Sequence, residues 1–251
     1  MIAVPVLPAE VVDAVRAGDV STAGERLRAH GEALARDAPG QARPWAAALV
    51  HQASSWPAEL GPWMQWTAGT VFYLCGEARR AEPLLEAAAR RFRARGRRDL
   101  SDRIGLIRLD LLGERRELGR ARRLASQLQE RFAAAGDRRR LAVTLANLGN
   151  AEDAADRVDA AIRLWRRALR ELPEGELDAL LVMGNLAGAA VLAGRFDEAL
   201  TTYRHVVDRA RAEGHEALVI QVELNVAEAE FVLGHVDDAL RRWQEVKERA
   251  S

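Results

Sequence analysis

The chain has 251 residues, of which 49% are hydrophobic, so it can bury a core and is not disordered as a whole. Its 37 lysines and arginines balance 37 acidic residues, which argues against a nucleic-acid-binding surface over the whole molecule. A single cysteine, Cys75, excludes a disulfide framework and a cysteine zinc cluster. Alanine, leucine, arginine and glutamate dominate the composition, which favours helices.

The N-terminal segment has no basic region before its short apolar run, so we expect no signal peptide. No stretch reaches the length of about eighteen uncharged apolar residues that a membrane helix needs, so we expect a cytoplasmic protein without membrane contact. The five histidines show no metal-binding spacing, and no nucleotide-binding or hydrolase motif is present. We therefore expect no catalytic residue, no metal site and no cofactor.

In chain order, residues 1–60 are predicted to form N-terminal helices. They comprise a degenerate repeat containing Ala23 and an extra helix from about Arg43 to Ser55. From residue 61 to 251 the chain repeats itself, which is the main evidence for its fold. Three segments align without a gap: Leu145 to Trp165, Met183 to Tyr203, and Glu223 to Trp243.

Each repeat carries an alanine at an equivalent position. These residues are Ala81, Ala121, Ala161, Ala199 and Ala239, spaced 40, 40, 38 and 40 residues apart. The repeats are predicted near 61–98, 99–136, 138–173, 176–213 and 215–251. Each is read as two helices, since apolar residues recur at helical spacing on both sides of a small turn residue. The last predicted helix, Val236 to Ala250, has the polar outer face typical of a terminal repeat.

The pattern resembles the tetratricopeptide repeat (TPR) family, in a bacterial type with repeats of 38–40 residues. The match is closest from Asn147 to Pro173. There the family positions are occupied by Leu148, Gly149, Ala161, Trp165, Ala168 and Pro173. Two departures stand out: Asp156 replaces the usual turn glycine, and Val226 and Ala227 replace the leucine–glycine pair in the third copy.

The resemblance implies an all-α, right-handed α-solenoid of stacked antiparallel helix pairs, with the first helix of each pair lining a concave groove. It further implies a non-catalytic scaffold or adaptor that binds another protein or an extended peptide in that groove. The alternative is a regulatory or sensor module that acts with a bacterial transcription regulator or an ATPase. No helix-turn-helix segment is evident in the sequence.

The strongest candidate site is a set of asparagines. Asn147, Asn185 and Asn225 coincide in the three aligned segments, and Asn150 and Glu228 are assigned to the same set. The family resemblance places the aligned position in the groove, where side-chain amides can hydrogen-bond the backbone of an extended peptide. The alternative is that the asparagines brace neighbouring helices. Some members of the family bind acidic C-terminal tails through a carboxylate clamp, which needs lysine and arginine beside the asparagines. Those basic residues are missing from the neighbouring positions in this sequence.

Two other candidate surfaces lie nearer the N-terminus. Trp63, Trp66, Thr70 and Tyr73 share one helical face and are predicted either to form an aromatic wall that anchors a partner or to pack in the core. A basic patch is formed by Arg90, Arg91, Arg93, Arg95, Arg97 and Arg98. It is interpreted as a site for an acidic partner, for a nucleic-acid backbone or for the acidic end of a second copy in a homo-oligomer. The other interpretation is a solvated helix face. With Phe92 as its one aromatic residue, the patch is poorly suited to stacking on nucleic-acid bases.

Overall fold

The structure is a computed structural model that describes residues 7–173 and 176–249. Every regular element in these ranges is helical, so the predicted all-α class is confirmed. The α-helices are α1 (Ala9–Arg16), α2 (Val20–Asp37), α3 (Pro39–His51), α4 (Gly61–Leu74), α5 (Ala78–Ala94), α6 (Arg98–Glu114), α7 (Leu118–Ala134), α8 (Arg138–Asp153), α9 (Val158–Glu171), α10 (Leu177–Leu192), α11 (Phe196–Ala212), α12 (Glu216–Val232) and α13 (Val236–Arg249). A short 3₁₀ helix at Ala53–Ser55 follows α3 where the extra helix is predicted to end.

The chain forms two compact units, Met1–Arg115 and Arg116–Ser251. Unit 1 contains α1 to α6 and unit 2 contains α7 to α13. The boundary falls between the two helices of the predicted repeat 99–136. In the ranges of the other predicted repeats, α4 packs with α5, α8 with α9, α10 with α11, and α12 with α13. The last predicted residue of α13, Ala250, lies outside the described residues.

Small residues allow the paired helices to approach closely. The repeated alanines at positions 23, 81, 121, 161, 199 and 239 are all fully buried. A methyl group at these positions fills the contact without separating the backbones. Ala23 belongs to the set because α1 and α2 also pack as a pair.

From α4 onward, most turns between helices contain a residue in the left-handed conformation. These residues are Gly76, Gly96, Arg116, Gly136, Asp156, Gly194, Gly214 and Gly234. A positive φ is strained for a side chain other than glycine, although aspartate tolerates it better than most. Asp156, with a φ of 60°, therefore takes up the turn conformation that the sequence assigns to a glycine at that position.

In unit 1, helix α4 lies in the centre of the core. Helices α2, α3 and α5 all pack against it, and eleven of its fourteen residues are buried. Its tryptophans Trp63 and Trp66 stack with their ring centroids 5.4 Å apart, and Phe92 of α5 packs edge-on against both. A helix that is apolar on every side is stable only when it is enclosed, and this packing encloses it.

In unit 2, a buried carboxylate joins the turn after α8 to helix α7. Arg122 donates from Nε and Nη2 to the two carboxylate oxygens of Glu152, both at 2.7 Å, and Arg157 Nε lies 3.0 Å from Oε2. The hydrogen bonds from Arg122 hold the pKa of Glu152 below its ordinary value, and the charge of Arg157 adds to this effect. Because the pKa is lowered in the folded state, this stabilisation is complete above the ordinary glutamate pKa and is lost as the pH falls.

We expect Glu152→Gln to lower the free energy of unfolding by about 1–2 kcal/mol at pH 7, since it removes charge-assisted hydrogen bonds from a buried site. The difference from the wild type should stay constant above the ordinary glutamate pKa and shrink as the pH falls below it, because the wild-type carboxylate then becomes protonated. Urea unfolding of both proteins at each pH measures this difference. A stability difference that does not change with pH would contradict the assigned role of the ion pair.

Candidate functional site

The largest described cavity in unit 2 lies among helices α8, α10 and α12 and has a volume of about 730 Å³. We call it the asparagine cleft. Its polar and aromatic lining consists of Asn150, Asp153, Trp165, Asn185, Phe196, Tyr203, Asn225 and Glu228. The remainder is made of small and aliphatic residues, among them Gly184, Gly188, Leu192 and Val232. Small residues on α10 leave the space between α8 and α12 open.

An ordered pair of amides forms the floor of the asparagine cleft. Trp165 Nε1 donates to Asn150 Oδ1 at 3.0 Å, and Asn185 Nδ2 donates to the same oxygen at 2.9 Å. An indole N–H can only donate, so Trp165 fixes which end of the Asn150 amide faces it. The Asn185 amide is then oriented by Asn150. Within the described residues, the Asn150 amino group and the Asn185 carbonyl make no other hydrogen bond, so both are available to a ligand.

Gly149 allows this arrangement because it lets the indole lie against α8. A β-carbon at position 149 would be 2.5 Å from Trp165 Nε1 and 2.6 Å from Cδ1, well inside van der Waals contact. The glycine of the predicted leucine–glycine pair thus positions the tryptophan that orients the amides. In the sequence, Trp165 occupies a position of the family pattern, and the structure shows that it also donates a hydrogen bond to Asn150.

Gly188 has a related role on α10. It stands three residues after Asn185, as Asn150 stands after Asn147 and Glu228 after Asn225. The middle repeat therefore has no side chain where its neighbours have a polar one. A β-carbon at position 188 would have the Tyr203 hydroxyl, 3.5 Å away, as its nearest neighbour. The missing side chain opens the asparagine cleft down to that hydroxyl.

Asn147 lies in an adjoining space. It lines a smaller cavity of about 220 Å³ together with Asn150, Asn185 and Gln221. The sequence contains four asparagines in total, and all four line one or both of these cavities. The structure therefore brings together the predicted set of Asn147, Asn150, Asn185, Asn225 and Glu228. For Asn150 and Asn185, bracing of helices and exposure to the cleft occur in the same side chains.

In unit 1, the aromatic set packs as core, the alternative that the sequence leaves open. Trp63 and Trp66 are 3% and 2% exposed, and Thr70 is also buried. The guanidinium groups of Arg28 and Arg103 lie 5.4 and 5.0 Å from the centre of the Trp66 ring, respectively. Tyr73 is half-buried, and its hydroxyl donates to Asp110. These residues form no open aromatic wall in the described part of unit 1.

The basic patch spans the end of α5, the turn and the start of α6. Five of its six arginines are exposed and Arg91 is half-buried. Arg93 donates to Ser101 Oγ at 3.3 Å, Arg95 to the Ala58 carbonyl at 3.1 Å, and Arg97 pairs with Asp99 at 2.9 Å. At least half of the patch is thus engaged within unit 1. A charged partner for it stays a prediction.

Two further properties of the described residues concern metal binding and membrane insertion. Among residues 7–173 and 176–249, no group of three or more histidine, cysteine, aspartate or glutamate side chains could hold a metal ion. None of the described helices combines the length and the apolar character needed to span a bilayer.

No protein-family model matches the sequence, and no curated protein matches it. Solved structures do match its fold. A Rap protein in complex with the competence and sporulation factor has a TM-score of 0.60 at 12% identity, and the match covers 95% of this chain and 72% of that one. NprR in complex with its cognate peptide NprX has a TM-score of 0.63 at 12% identity, covering 98% and 89% of the two chains.

A third match is a signal transduction ATPase with numerous domains from Pyrococcus horikoshii, which carries a tetratricopeptide repeat sensor. Its TM-score is 0.64 at 15% identity, and the match covers 94% of this chain and 38% of that one. At these identities the likeness establishes the fold alone. The chain has the fold of TPR-like helical repeat proteins, and the predicted all-α solenoid class is confirmed.

Sequence reasoning missed three parts of the asparagine cleft: Asp153, the Tyr203 hydroxyl and the opening at Gly188. In the sequence, Tyr203 is seen only as the last residue of an aligned segment, and a repeat alignment does not reveal where its hydroxyl points. Gly188 carries a signal that could have been used, because it is aligned with Asn150 and Glu228. When the equivalent positions of three successive repeats hold a polar residue, a glycine and a polar residue, the glycine indicates an opening in the middle repeat.

Proposed function

We propose that the protein is a non-catalytic scaffold or adaptor that binds an extended peptide, either free or as a segment of a partner protein, in the asparagine cleft of unit 2. The observation that carries this proposal is the oriented amide pair on the floor of the cleft. Asn150 and Asn185 hold fixed positions, and each keeps unused hydrogen-bonding groups. A peptide backbone offers donors and acceptors that match them.

The spacing of the helices supports an extended ligand. Packed helices lie about 8–10 Å apart, and an extended chain advances about 3.3 Å per residue. A peptide crossing α8, α10 and α12 would therefore meet an amide roughly every three residues. Asn150, Asn185 and Asn225 together would contact a segment of about seven residues. Because backbone groups recur along any peptide, these contacts give affinity, and the side chains that enter the cavity give specificity.

The test begins with a phage-displayed library of random heptapeptides, selected against the full chain. We expect the double variant Asn185→Ala with Asn225→Ala to bind a selected, fluorescein-labelled peptide at least 30-fold more weakly, as measured by fluorescence anisotropy. Each truncated amide would leave polar groups of the bound peptide without a partner, at a cost of about 1–3 kcal/mol per group.

The matched control is Gln127→Ala, which removes an exposed amide from α7 without touching the asparagine cleft. It should bind the peptide as the wild type does. Thermal unfolding by circular dichroism checks that all variants are folded. Selected peptides that bind the double variant with wild-type affinity, or a library without any binder, would contradict the proposal.

A second candidate is a regulatory sensor that acts with a transcription regulator or an ATPase. It is favoured by the fold similarity to NprR with its cognate peptide and to an ATPase with a tetratricopeptide repeat sensor. The two functions differ in one measurable respect. A sensor must change its affinity for a second protein when the peptide binds, whereas a scaffold holds both partners independently.

A further inference from the structure

The asparagine cleft has an unbalanced charge. Asp153 and Glu228 both line it, whereas no arginine, lysine or histidine does. In a chain with 37 basic residues this is unusual. Two other carboxylates of unit 2, Glu152 and Glu230, show the contrasting arrangement, in which arginine neutralises the charge. Glu152 bonds to Arg122, and Glu230 bonds to Arg242 at 2.9 and 3.1 Å.

Asp153 and Glu228 differ from Glu152 and Glu230 in this respect. Within residues 7–173 and 176–249, neither side chain forms an ion pair or a hydrogen bond. Burial, together with the charge of Asp156, raises the pKa of Asp153 above its ordinary value, so its negative charge is poorly compensated. Two carboxylates that face one cavity without a counter-ion produce a negative potential there.

An independent observation comes from Tyr203. Its side chain is 2% exposed and lines the asparagine cleft, and its hydroxyl has no hydrogen-bond partner among the described residues. A hydroxyl group that faces a cavity without a hydrogen-bond partner offers a position for a ligand atom. Burial and the charge of Glu228 raise the pKa of Tyr203 to about 12, so the phenol is neutral at pH 7. It can accept a hydrogen bond from a cation while donating to a carboxylate.

The remaining walls are apolar. The indole of Trp165 and the ring of Phe196 line the interior, and Leu192 and Val232 stand exposed on the ends of α10 and α12. An aliphatic stem can pack against such side chains. A ligand that complements the whole cavity therefore carries a cationic head on an aliphatic chain. An acidic side chain would meet repulsion from both carboxylates.

We infer that the asparagine cleft binds an arginine or lysine side chain of the peptide, with its cationic head between Asp153 and Glu228 and its aliphatic stem against Leu192 and Val232. The Tyr203 hydroxyl accepts a hydrogen bond from the cationic head. This assignment rests on the proposed function for the source of the basic side chain. The cationic head itself can be tested without any peptide.

The first experiment uses three small probes of similar size: n-butylguanidine, which is cationic, pentanamide, which is neutral, and pentanoate, which is anionic. Each is titrated into the ¹⁵N-labelled full chain, and the indole N–H resonance of Trp165 is followed after assignment with Trp165→Phe. We expect a saturable shift with n-butylguanidine and at least tenfold weaker binding of the other two. Equal binding of pentanamide would overturn the inference.

The second experiment uses variants. Glu228→Gln and Asp153→Asn keep the shape of each side chain and remove its charge, and each should weaken n-butylguanidine binding about tenfold. Glu130→Gln is the matched control, because Glu130 is also an exposed glutamate within a helix of unit 2 but does not line the cleft. Unchanged binding in both cleft variants would show that the carboxylates do not hold the cation.

A peptide arm separates this inference from the proposed function. Libraries with one position fixed as arginine, lysine, citrulline or glutamate are compared for binding to the full chain. Enrichment of the arginine and lysine libraries, lost in Glu228→Gln, supports the inference. Cleft-dependent binding that is equal for arginine and citrulline would leave the proposed function standing and overturn the inference. Binding of n-butylguanidine without any cleft-dependent peptide would support the cation site and overturn the basic side chain as its source.

Discussion

Replacing Gly149 by alanine is expected to lower the free energy of unfolding by about 2 kcal/mol, net of the gain in helix propensity. The added β-carbon would lie 2.5 Å from Trp165 Nε1, and the buried indole cannot move away without disturbing α9. A shift of the indole would break the hydrogen bond from Trp165 to Asn150, so we also expect the proposed peptide binding in the asparagine cleft to weaken. Urea unfolding measures the loss of stability, and the Trp165 indole N–H resonance reports the loss of the hydrogen bond. Fluorescence anisotropy with the selected peptide measures the change in binding.

Gly188→Ala is the matched control on α10, the next helix that lines the asparagine cleft. Its β-carbon would meet no atom closer than the Tyr203 hydroxyl at 3.5 Å, which is ordinary contact. The substitution should therefore leave stability unchanged or raise it by up to about 1 kcal/mol. If the two alanine variants lost stability equally, the close approach of Trp165 would not be the reason for glycine at position 149.

The largest loss of stability is expected for Gly24→Ala in unit 1, at about 3 kcal/mol or more. A β-carbon at position 24 would overlap the indole of Trp63. That ring is held on one side by Trp66 and on another by Phe92, whose centroid is 5.1 Å away, so it has no space to move into. Because the strain is in the core, it should appear as a lower midpoint of urea unfolding.

Gly40→Ala is the control for unit 1, since Gly40 is a helical glycine without any neighbouring atom within 4 Å of the added carbon. It should be neutral or slightly stabilising. Similar losses in Gly24→Ala and Gly40→Ala would show that the indole of Trp63 is not the cause. Circular dichroism of each variant at low temperature checks that the fold persists.

The helices of unit 2 could be predicted because its repeats are regular. An alanine returned every 38 to 40 residues, and the residues around Asn147, Asn185 and Asn225 aligned without a gap. Together with the resemblance to the tetratricopeptide repeat family, the alignment also predicted that these asparagines share a surface. The cavity could not be predicted in the same way, because its volume depends on a missing side chain at Gly188 and on the packing of Tyr203 from another helix.

Unit 1 was harder to interpret because α4 has little amphipathic pattern. The spacing of Trp63, Trp66 and Thr70 defines a face of the helix, but it does not say what covers that face. When nearly every residue of a helix is apolar, periodicity cannot separate a groove from a core. The packing of α2, α3 and α5 around α4 decides the question, and this is a tertiary property.

The fixed amide orientation on the floor of the asparagine cleft has a consequence for directionality. Trp165 donates to the amide oxygen of Asn150, so the amino group of Asn150 stays free. Asn185 donates to the same oxygen through its amino group, so its own carbonyl oxygen stays free. The cleft therefore presents a hydrogen-bond donor on α8, from Asn150, and an acceptor on α10, from Asn185. A peptide laid N-terminus first would encounter a different order of donors and acceptors from its reversed counterpart, so the two threadings would not be equivalent.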